Sequence, residues 1–97
     1  MFTSKERSNL RAVAQNIKPV TQVGKGGISD ALVQSLSQAL EARELIKISV
    51  LNNVDDDARE IAESLAAALR AEVVAVIGKK VILYRKSSRK DIDHIVF

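Results

Sequence analysis

Apolar residues recur along the first part of this chain at the spacing of a helix. The stretch Thr3-Ser4-Lys5-Glu6 has the form of a capping box, which starts many helices. The apolar residues after it lie three or four positions apart and would form one buried stripe: Leu10, Val13, Ala14 and Ile17. We predict a first helix over residues 4–17. Pro19 disfavours helical geometry at Lys18 and has no N–H to donate, so a first strand is predicted over 19–23.

The rest of the apolar pattern predicts two more helices and three more strands. Helical spacing returns after Ser29, a suitable cap, and predicts a second helix over 29–43. Alternating residues predict a strand over 45–51, and helix-start acids followed by an apolar stripe predict a third helix over 56–70. The apolar runs 73–77 and 81–84 flank Gly78-Lys79-Lys80, which predicts a hairpin of two interior strands.

These elements predict a single α/β domain of α+β character with the order αβαβαββ. A right-handed parallel crossover is the default for the first strand, second helix and second strand, and the hairpin adds antiparallel strands. The expected result is a mixed four-stranded sheet packed with helices. We place the domain at residues 1–86. The tail at 87–97 begins with polar residues and ends apolar, so it could be frayed or docked, and the sequence leaves both open.

Composition narrows the class of protein. Hydrophobic residues make up 46% of the 97 and charged residues 28%, as in ordinary globular domains. With no Cys and one His, a metal site is not expected, and neither is a cofactor. No apolar run approaches the roughly 18 residues of a membrane span, and the N-terminus lacks a signal peptide's apolar stretch. We expect a cytoplasmic monomer without a membrane partner.

The net charge of +3 hides an uneven distribution. Residues 55–63 hold five acids and one Arg, which leaves 14 basic and seven acidic residues in the rest of the chain. The acidic charge is therefore concentrated on the third helix, and the remaining surface is basic.

The motif with the most chemical content is the loop Gly24-Lys25-Gly26-Gly27, between a predicted strand and a predicted helix. N–H groups at a helix start lack internal partners and attract anions, glycines allow close approach, and Lys25 adds a cation. The alternative is that the glycines only permit a tight turn. A P-loop is excluded because no Lys-Ser or Lys-Thr pair follows, and a dinucleotide fingerprint fails at Ser29. The short G-x-x-G loop with which KH domains clamp a nucleotide backbone fits, although there it joins two helices.

Basic residues elsewhere could complete an RNA-binding surface around this loop. Arg7 and Arg11 share a helix face, and further basic residues cluster at the hairpin: Lys79, Lys80, Arg85 and Lys86. Alone, each is more simply a solvated charge. As a set, the predicted RNA contacts are the four loop residues together with Lys18, Ser29, Arg7, Arg11, Lys47 and Arg85.

No residues suggest catalysis. Asp55, Asp56 and Asp57 are adjacent and diverge in direction, so helix capping explains them better than a catalytic pair. His94 is expected to be an ordinary exposed histidine, and no serine has a histidine to activate it. We predict that the protein is not an enzyme.

Four stretches, in order over residues 3–86, resemble the CRM (chloroplast RNA splicing and ribosome maturation) domain family, in particular its bacterial single-domain members of the YhbY type. They are Lys18-Pro19-Val20, Gly24-Lys25-Gly26-Gly27-Ile28, Glu44-Leu45-Ile46-Lys47-Ile48, and Val76-Ile77-Gly78-Lys79 continuing to Leu83-Tyr84-Arg85. The resemblance implies a fold similar to the C-terminal domain of bacterial translation initiation factor three. It also implies RNA binding linked to assembly of the large ribosomal subunit, with the family's G-x-x-G loop at 24–27. The rival is a protein-interaction module that uses the acidic third helix or the tail.

Overall fold

The computed structural model describes residues 2–24, 27–51 and 57–97, which form three helices and four strands. The elements, in chain order, are α1 (Ser4–Ala14), β1 (Thr21–Val23), α2 (Asp30–Arg43), β2 (Leu45–Val50), α3 (Ala58–Leu69), β3 (Glu72–Ile77) and β4 (Lys80–Tyr84). The order αβαβαββ is confirmed. None of the helices in these ranges is long and apolar enough to cross a membrane.

A capping side chain precedes each helix. α3 begins at Ala58, two residues later than predicted, and Asp55 and Asp56 lie outside the described residues. Thr3 and Glu6 form the predicted capping box, with reciprocal bonds of 3.1 and 2.9 Å. The Ser29 hydroxyl accepts from the N–H of Leu32 at 3.1 Å, and the Asp57 carboxylate accepts from the N–H of Glu60 at 2.8 Å. These side chains satisfy N–H groups that the helix itself leaves without partners.

The end of α1 was predicted three residues too late. The N–H groups of Asn16 and Ile17 donate to carbonyls three residues back, so the helix tightens after Ala14 and stops. Ile17 lies beyond the helix but still packs against the core, which explains why an apolar residue occurs at this position. β1 is likewise shorter than predicted: Pro19 has no N–H, and pairing starts with the bond from Val20 N–H to the Lys47 carbonyl, 2.8 Å long.

The four strands form one mixed sheet in the order β1-β2-β4-β3. β1 is parallel to β2, β2 is antiparallel to β4, and β4 is antiparallel to β3. The prediction of two interior strands is wrong for β3, which lies at an edge. Its run is apolar because it is covered on both faces: Val73 and Val76 face one apolar cluster, and Val74 faces the other.

Two apolar clusters cover opposite faces of the sheet. The larger joins α2 and α3 to the strands, with Leu36, Leu40, Ile61, Leu65 and Leu69 packed against Ile46 and Ile48. The smaller contains Leu10 and Ala14 of α1 packed against Leu45, Val74 and Ile82. We call these the α2–α3 face and the α1 face of the sheet.

The C-terminal tail is docked on the α1 face. Ile95 and Phe97 pack against the smaller cluster, and the ring of Phe97 meets the rings of Phe2 and Tyr84 edge-on at centroid distances of 5.5 and 5.0 Å. Of the two alternatives that the sequence left open, the structure has the docked one.

Candidate nucleic-acid interface

The glycine-rich loop leaves the end of β1 in a tight turn. The N–H of Gly27 donates to the carbonyl of Gly24 at 2.9 Å. Gly27 has φ +70°, a backbone conformation that residues other than glycine rarely adopt. Lys25 and Gly26, which the sequence predicts as RNA contacts, lie outside the described residues. Among the described residues, no atom lies within 4 Å of a Cβ built at Gly27, whereas a Cβ at Gly24 would lie 3.3 Å from Cδ1 of Leu51. Gly27 is therefore required by its backbone conformation and faces open space.

The loop runs directly into the capped start of α2. The oxygen of Ser29 is used by the cap, while its hydroxyl hydrogen remains able to donate. Asp30 places an exposed carboxylate in the first turn of α2, where it offsets the positive end of the helix dipole. Any attraction for phosphate at this end of the sheet must therefore come mainly from basic side chains.

Backbone bonds bring the loop and the β3–β4 hairpin to the same end of the sheet. Leu51 donates to the carbonyl of Val23 at 2.9 Å, and Val50 donates to the carbonyl of Lys79 at 2.7 Å. Lys79 and Lys80 are exposed there, and the Lys80 ammonium donates to the Ser49 hydroxyl at 2.6 Å. Two lysines thus lie at the end of the sheet that carries the glycine loop.

A pocket opens on the α1 face beyond the last turn of α1. Its volume is about 120 Å³, and it is lined by Arg11, Gln15, Lys47, Ile77, Lys80 and Ile82. Three of these six residues are basic and none is acidic. Of the predicted site residues, Arg11 and Lys47 are brought together here. Gln15 and Lys80 complete the pocket, although neither was among the residues predicted to contact RNA.

A wider groove of about 440 Å³ continues along the edge strand β3. It is lined by three arginines, Arg7, Arg11 and Arg59, and by the strand residues 73–77. Arg11 and Ile77 line both cavities, so the two adjoin. We define the basic band as the four cations Arg11, Lys47, Lys80 and Arg59. Arg59 was missed because it stands within the acidic stretch of the third helix, where a lone base carries no signal.

Arg7 and Arg85 are engaged within the protein. Nη1 of Arg7 donates to the carbonyls of Val73 and Val74 at 2.6 and 2.7 Å, and Cζ of the same guanidinium lies 5.8 Å from the centroid of the Phe2 ring. The guanidinium of Arg85 donates to the carbonyls of Leu69 and Ser37, to the Ser37 hydroxyl and to the Glu41 carboxylate, and its side chain is only 21% exposed. Arg85 follows β4 at the end away from Lys80, roughly 17 Å along the strand.

Lys18 lies apart from this surface. It is exposed and precedes β1, whereas the loop follows β1. The structure therefore separates Lys18 and Arg85 from the glycine loop and gathers Arg11 and Lys47 near the hairpin lysines.

The buried carboxylate of Glu44 is a site that the sequence did not predict. Glu44 is fully buried and accepts from the N–H groups of Ser87 and Ile95 at 2.7 Å each, and Nδ1 of His94 lies 2.6 Å from its Oε2. Burial raises the pKa of Glu44, but the bonds from His94, Ser87 and Ile95 outweigh it and hold the pKa below its usual value. His94 is exposed, as expected, but its ring also contacts this carboxylate. The tail saturates the carboxylate, so the group serves docking.

Comparison with known proteins decides the family. The profile of the CRS1 / YhbY (CRM) domain matches residues 2–85. The chain belongs to the CRM domain family. The match ends at Arg85, so it does not include the docked tail at 87–97.

Relatives of this CRM domain include bacterial proteins named for RNA binding. The chain is 44% identical to the Probable RNA-binding protein YqeI of Bacillus subtilis over 90% of this chain and 91% of that protein. It is 30% identical to the Probable RNA-binding protein PA4753 of Pseudomonas aeruginosa, over 91% of this chain and 85% of that one. The fold matches the solution structure of the hypothetical protein SAV1595 from Staphylococcus aureus with a TM-score of 0.78 and 45% identity, covering 94% and 95% of the two chains.

Proposed function

We propose that this CRM domain binds RNA, namely ribosomal RNA or its precursor, in the cytoplasm during assembly of the large ribosomal subunit. The observation that carries RNA binding is the arrangement at one end of the sheet, where the glycine loop, the hairpin lysines and the basic band come together. The names of YqeI and PA4753 support an RNA partner. The ribosomal part is supported by the sequence resemblance to the CRM family.

In the proposed complex, both backbone N–H groups and basic side chains contact RNA phosphates. Open space around Gly27 leaves room for a phosphate beside the loop amides, and Lys25 would add its charge there. The basic band then extends the contact along the α1 face to the edge strand β3, where Arg59 lines the groove. Phosphate contacts position a protein but carry little sequence information, so specificity comes mainly from RNA shape.

The same contacts account for a binding role rather than catalysis. The glycine loop and the basic band supply donors and cations, which suit phosphate binding. YqeI and PA4753 carry the names of RNA-binding proteins, and neither name denotes an enzyme. We therefore propose that the protein acts without catalytic turnover. We also propose that it acts as a monomer, as expected from the sequence.

Titration of a structured ribosomal RNA fragment with Gly27→Asp tests the loop. The new carboxylate would stand where a phosphate is proposed, so affinity should fall at least tenfold. Ala67→Asp on exposed α3 is the matched control, because it adds the same charge away from the loop. If about four phosphates are neutralised, wild-type affinity should fall roughly 50-fold between 50 and 200 mM salt. Equal affinities of the two variants, or salt-independent binding, would contradict the proposal.

The ribosomal assignment needs a separate experiment. Crosslinking in cells, followed by sequencing of the bound RNA, should recover ribosomal RNA or its precursor above other transcripts. Recovery of other RNA classes alone would leave RNA binding standing and remove the ribosomal role. The protein-interaction rival predicts instead that Glu60→Lys on α3 abolishes recovery of a protein partner while RNA affinity is unaffected or rises.

A further inference from the structure

The pocket at the end of α1 combines an apolar floor with a basic rim. Ile82 is 2% exposed and forms the floor, while Ile77, 51% exposed, flanks it. Arg11, Lys47 and Lys80 stand around the opening. A nucleotide has the complementary parts, a flat base and an anionic phosphate.

Within residues 2–24, 27–51 and 57–97, no acidic side chain forms an ion pair with the charges on the rim, Arg11, Lys47 and Lys80. The partner of the Lys80 ammonium is the Ser49 hydroxyl, a neutral acceptor that leaves two ammonium protons for another ligand. Lys47 is half-buried, so its surroundings screen its charge less than water would, whereas Arg11 and Lys80 are exposed.

The orientation of a nucleotide in this pocket follows from the end of α1. A helix C-terminus carries partial negative charge, so the phosphate belongs on the strand side, next to Lys47 and Lys80. The base then lies toward Gln15, whose amide offers both a donor and an acceptor to a base edge. Stacking falls to the Arg11 guanidinium and the isoleucines, because the three aromatic rings, Phe2, Tyr84 and Phe97, pack on one another.

We propose that this pocket binds one unstacked nucleotide of single-stranded RNA. The inference rests on the proposed RNA binding and adds a chemical requirement to it: the bound RNA must present a free base. β1 and β4 are two β-strand spacings apart, roughly 10 Å. A short single strand of RNA can therefore reach from the glycine loop to the pocket. A continuous duplex keeps its bases stacked and cannot place one here.

The first test compares three fluorescent RNAs of equal backbone charge per strand. They are a ten-nucleotide oligouridylate, an abasic oligomer of the same length, and a ten-base-pair duplex. Wild-type protein should bind the oligouridylate about fivefold more tightly than the abasic oligomer, because one stacked base contributes on the order of 1 kcal/mol. Equal binding of the two single strands would overturn the pocket.

The second test uses two neighbouring amides as a matched pair. Gln15→Glu puts a carboxylate in the pocket, and Asn16→Asp puts the same charge on the next residue, which is exposed and outside the lining. Gln15→Glu should weaken oligouridylate binding about tenfold, whereas Asn16→Asp should weaken it less than threefold. Asn16→Asp should also weaken binding of the abasic oligomer less than threefold. Equal losses in the two variants would show only general charge repulsion and overturn the inference.

The two proposals fail in different ways. Salt-dependent binding of duplex RNA without preference for the oligouridylate removes the nucleotide pocket and keeps the proposed function. Absence of binding to all three RNAs and to the ribosomal fragment removes both.

Discussion

Glu44 and His94 lie fifty positions apart in the sequence, yet Oε2 of one is 2.6 Å from Nδ1 of the other. The same buried carboxylate accepts from the N–H groups of Ser87 and Ile95. Glu44 caps the end of α2 with φ +67°, so the turn from α2 into β2 also points its side chain at the tail. One residue at a helix end thus bonds to three residues of the tail, Ser87, His94 and Ile95.

Replacing Glu44 by Gln should destabilise the fold. The amide keeps one carbonyl oxygen, but its N–H₂ group would face N–H donors of the tail and could not accept from them. Hydrogen bonds to a charged group contribute about 1.5–3 kcal/mol to stability. We expect the free energy of unfolding in urea to fall by about that amount. Glu63→Gln, at an exposed position on α3, is the control and should change it little. An equal effect of both substitutions would contradict a docking role for Glu44.

The depressed pKa of Glu44 predicts acid sensitivity. A carboxylate whose pKa is lower in the folded protein than in the unfolded chain contributes stability above its ordinary pKa of 4.5. That contribution is lost as the pH falls through the folded-state pKa. The free energy of unfolding should therefore decline below about pH 5. The decline should be shallower in Glu44→Gln, and a wild-type curve parallel to the variant's would contradict the assignment.

The aromatic contact of the tail gives a second, independent test of docking. Phe97→Ala removes a ring that meets Phe2 and Tyr84, whereas Val96→Ala alters a neighbour that is 95% exposed. We expect Phe97→Ala to lower the free energy of unfolding by about 1–3 kcal/mol and Val96→Ala to leave it within about 0.5 kcal/mol. RNA affinity should be the same in both, since the cluster is remote from the glycine loop.

Arg85 should behave as a structural residue. Its guanidinium joins the C-terminal end of α3 to α2, and a lysine ammonium cannot reproduce that fork of donors. Arg85→Lys should reduce stability by about 1–2 kcal/mol, measured by urea unfolding, while RNA affinity of the folded protein stays within twofold. A large loss of RNA affinity without a loss of stability would instead restore Arg85 to the RNA contacts.

Lys80, in contrast to Arg85, should contribute to RNA affinity rather than to stability. Lys80→Met removes the charge and keeps the apolar stem, so the slope of log affinity against log salt should become shallower by about one phosphate contact. Lys86→Met, at an exposed position beyond the far end of β4, is the control and should leave the slope unchanged. Unchanged slopes in both variants would exclude Lys80 from the basic band's phosphate contacts.

The contrast between these residues also shows what the sequence could predict. Helix starts were predictable because Thr3, Ser29 and Asp57 act on N–H groups three residues away, and the G-x-x-G loop was visible as a local run. The contacts of Arg7 and Arg85 span more than forty residues or depend on packing, and they leave no periodic signal. Both arginines therefore resembled surface charges available to RNA.

The tail and the pocket were hidden for related reasons. Ile95 and Phe97 predict an apolar end but not the surface that receives it, because that surface is assembled from Phe2, Leu45 and Tyr84. Gln15 became a pocket residue only because α1 ends early and leaves part of the sheet uncovered. The order of the elements followed from short-range patterns, whereas the site depends on where those elements stop.

The contact between Arg7 and β3 bears on how the molecule avoids sticking to its own copies. An edge strand offers unpaired carbonyls to any other strand, and proteins guard such edges with bulges and charged groups. β3 has both: its register shifts between Val73 and Ala75, and Arg7 occupies the carbonyls of Val73 and Val74. Removing that guanidinium would free both carbonyls at this edge, so we expect Arg7 to protect the protein from edge-to-edge aggregation.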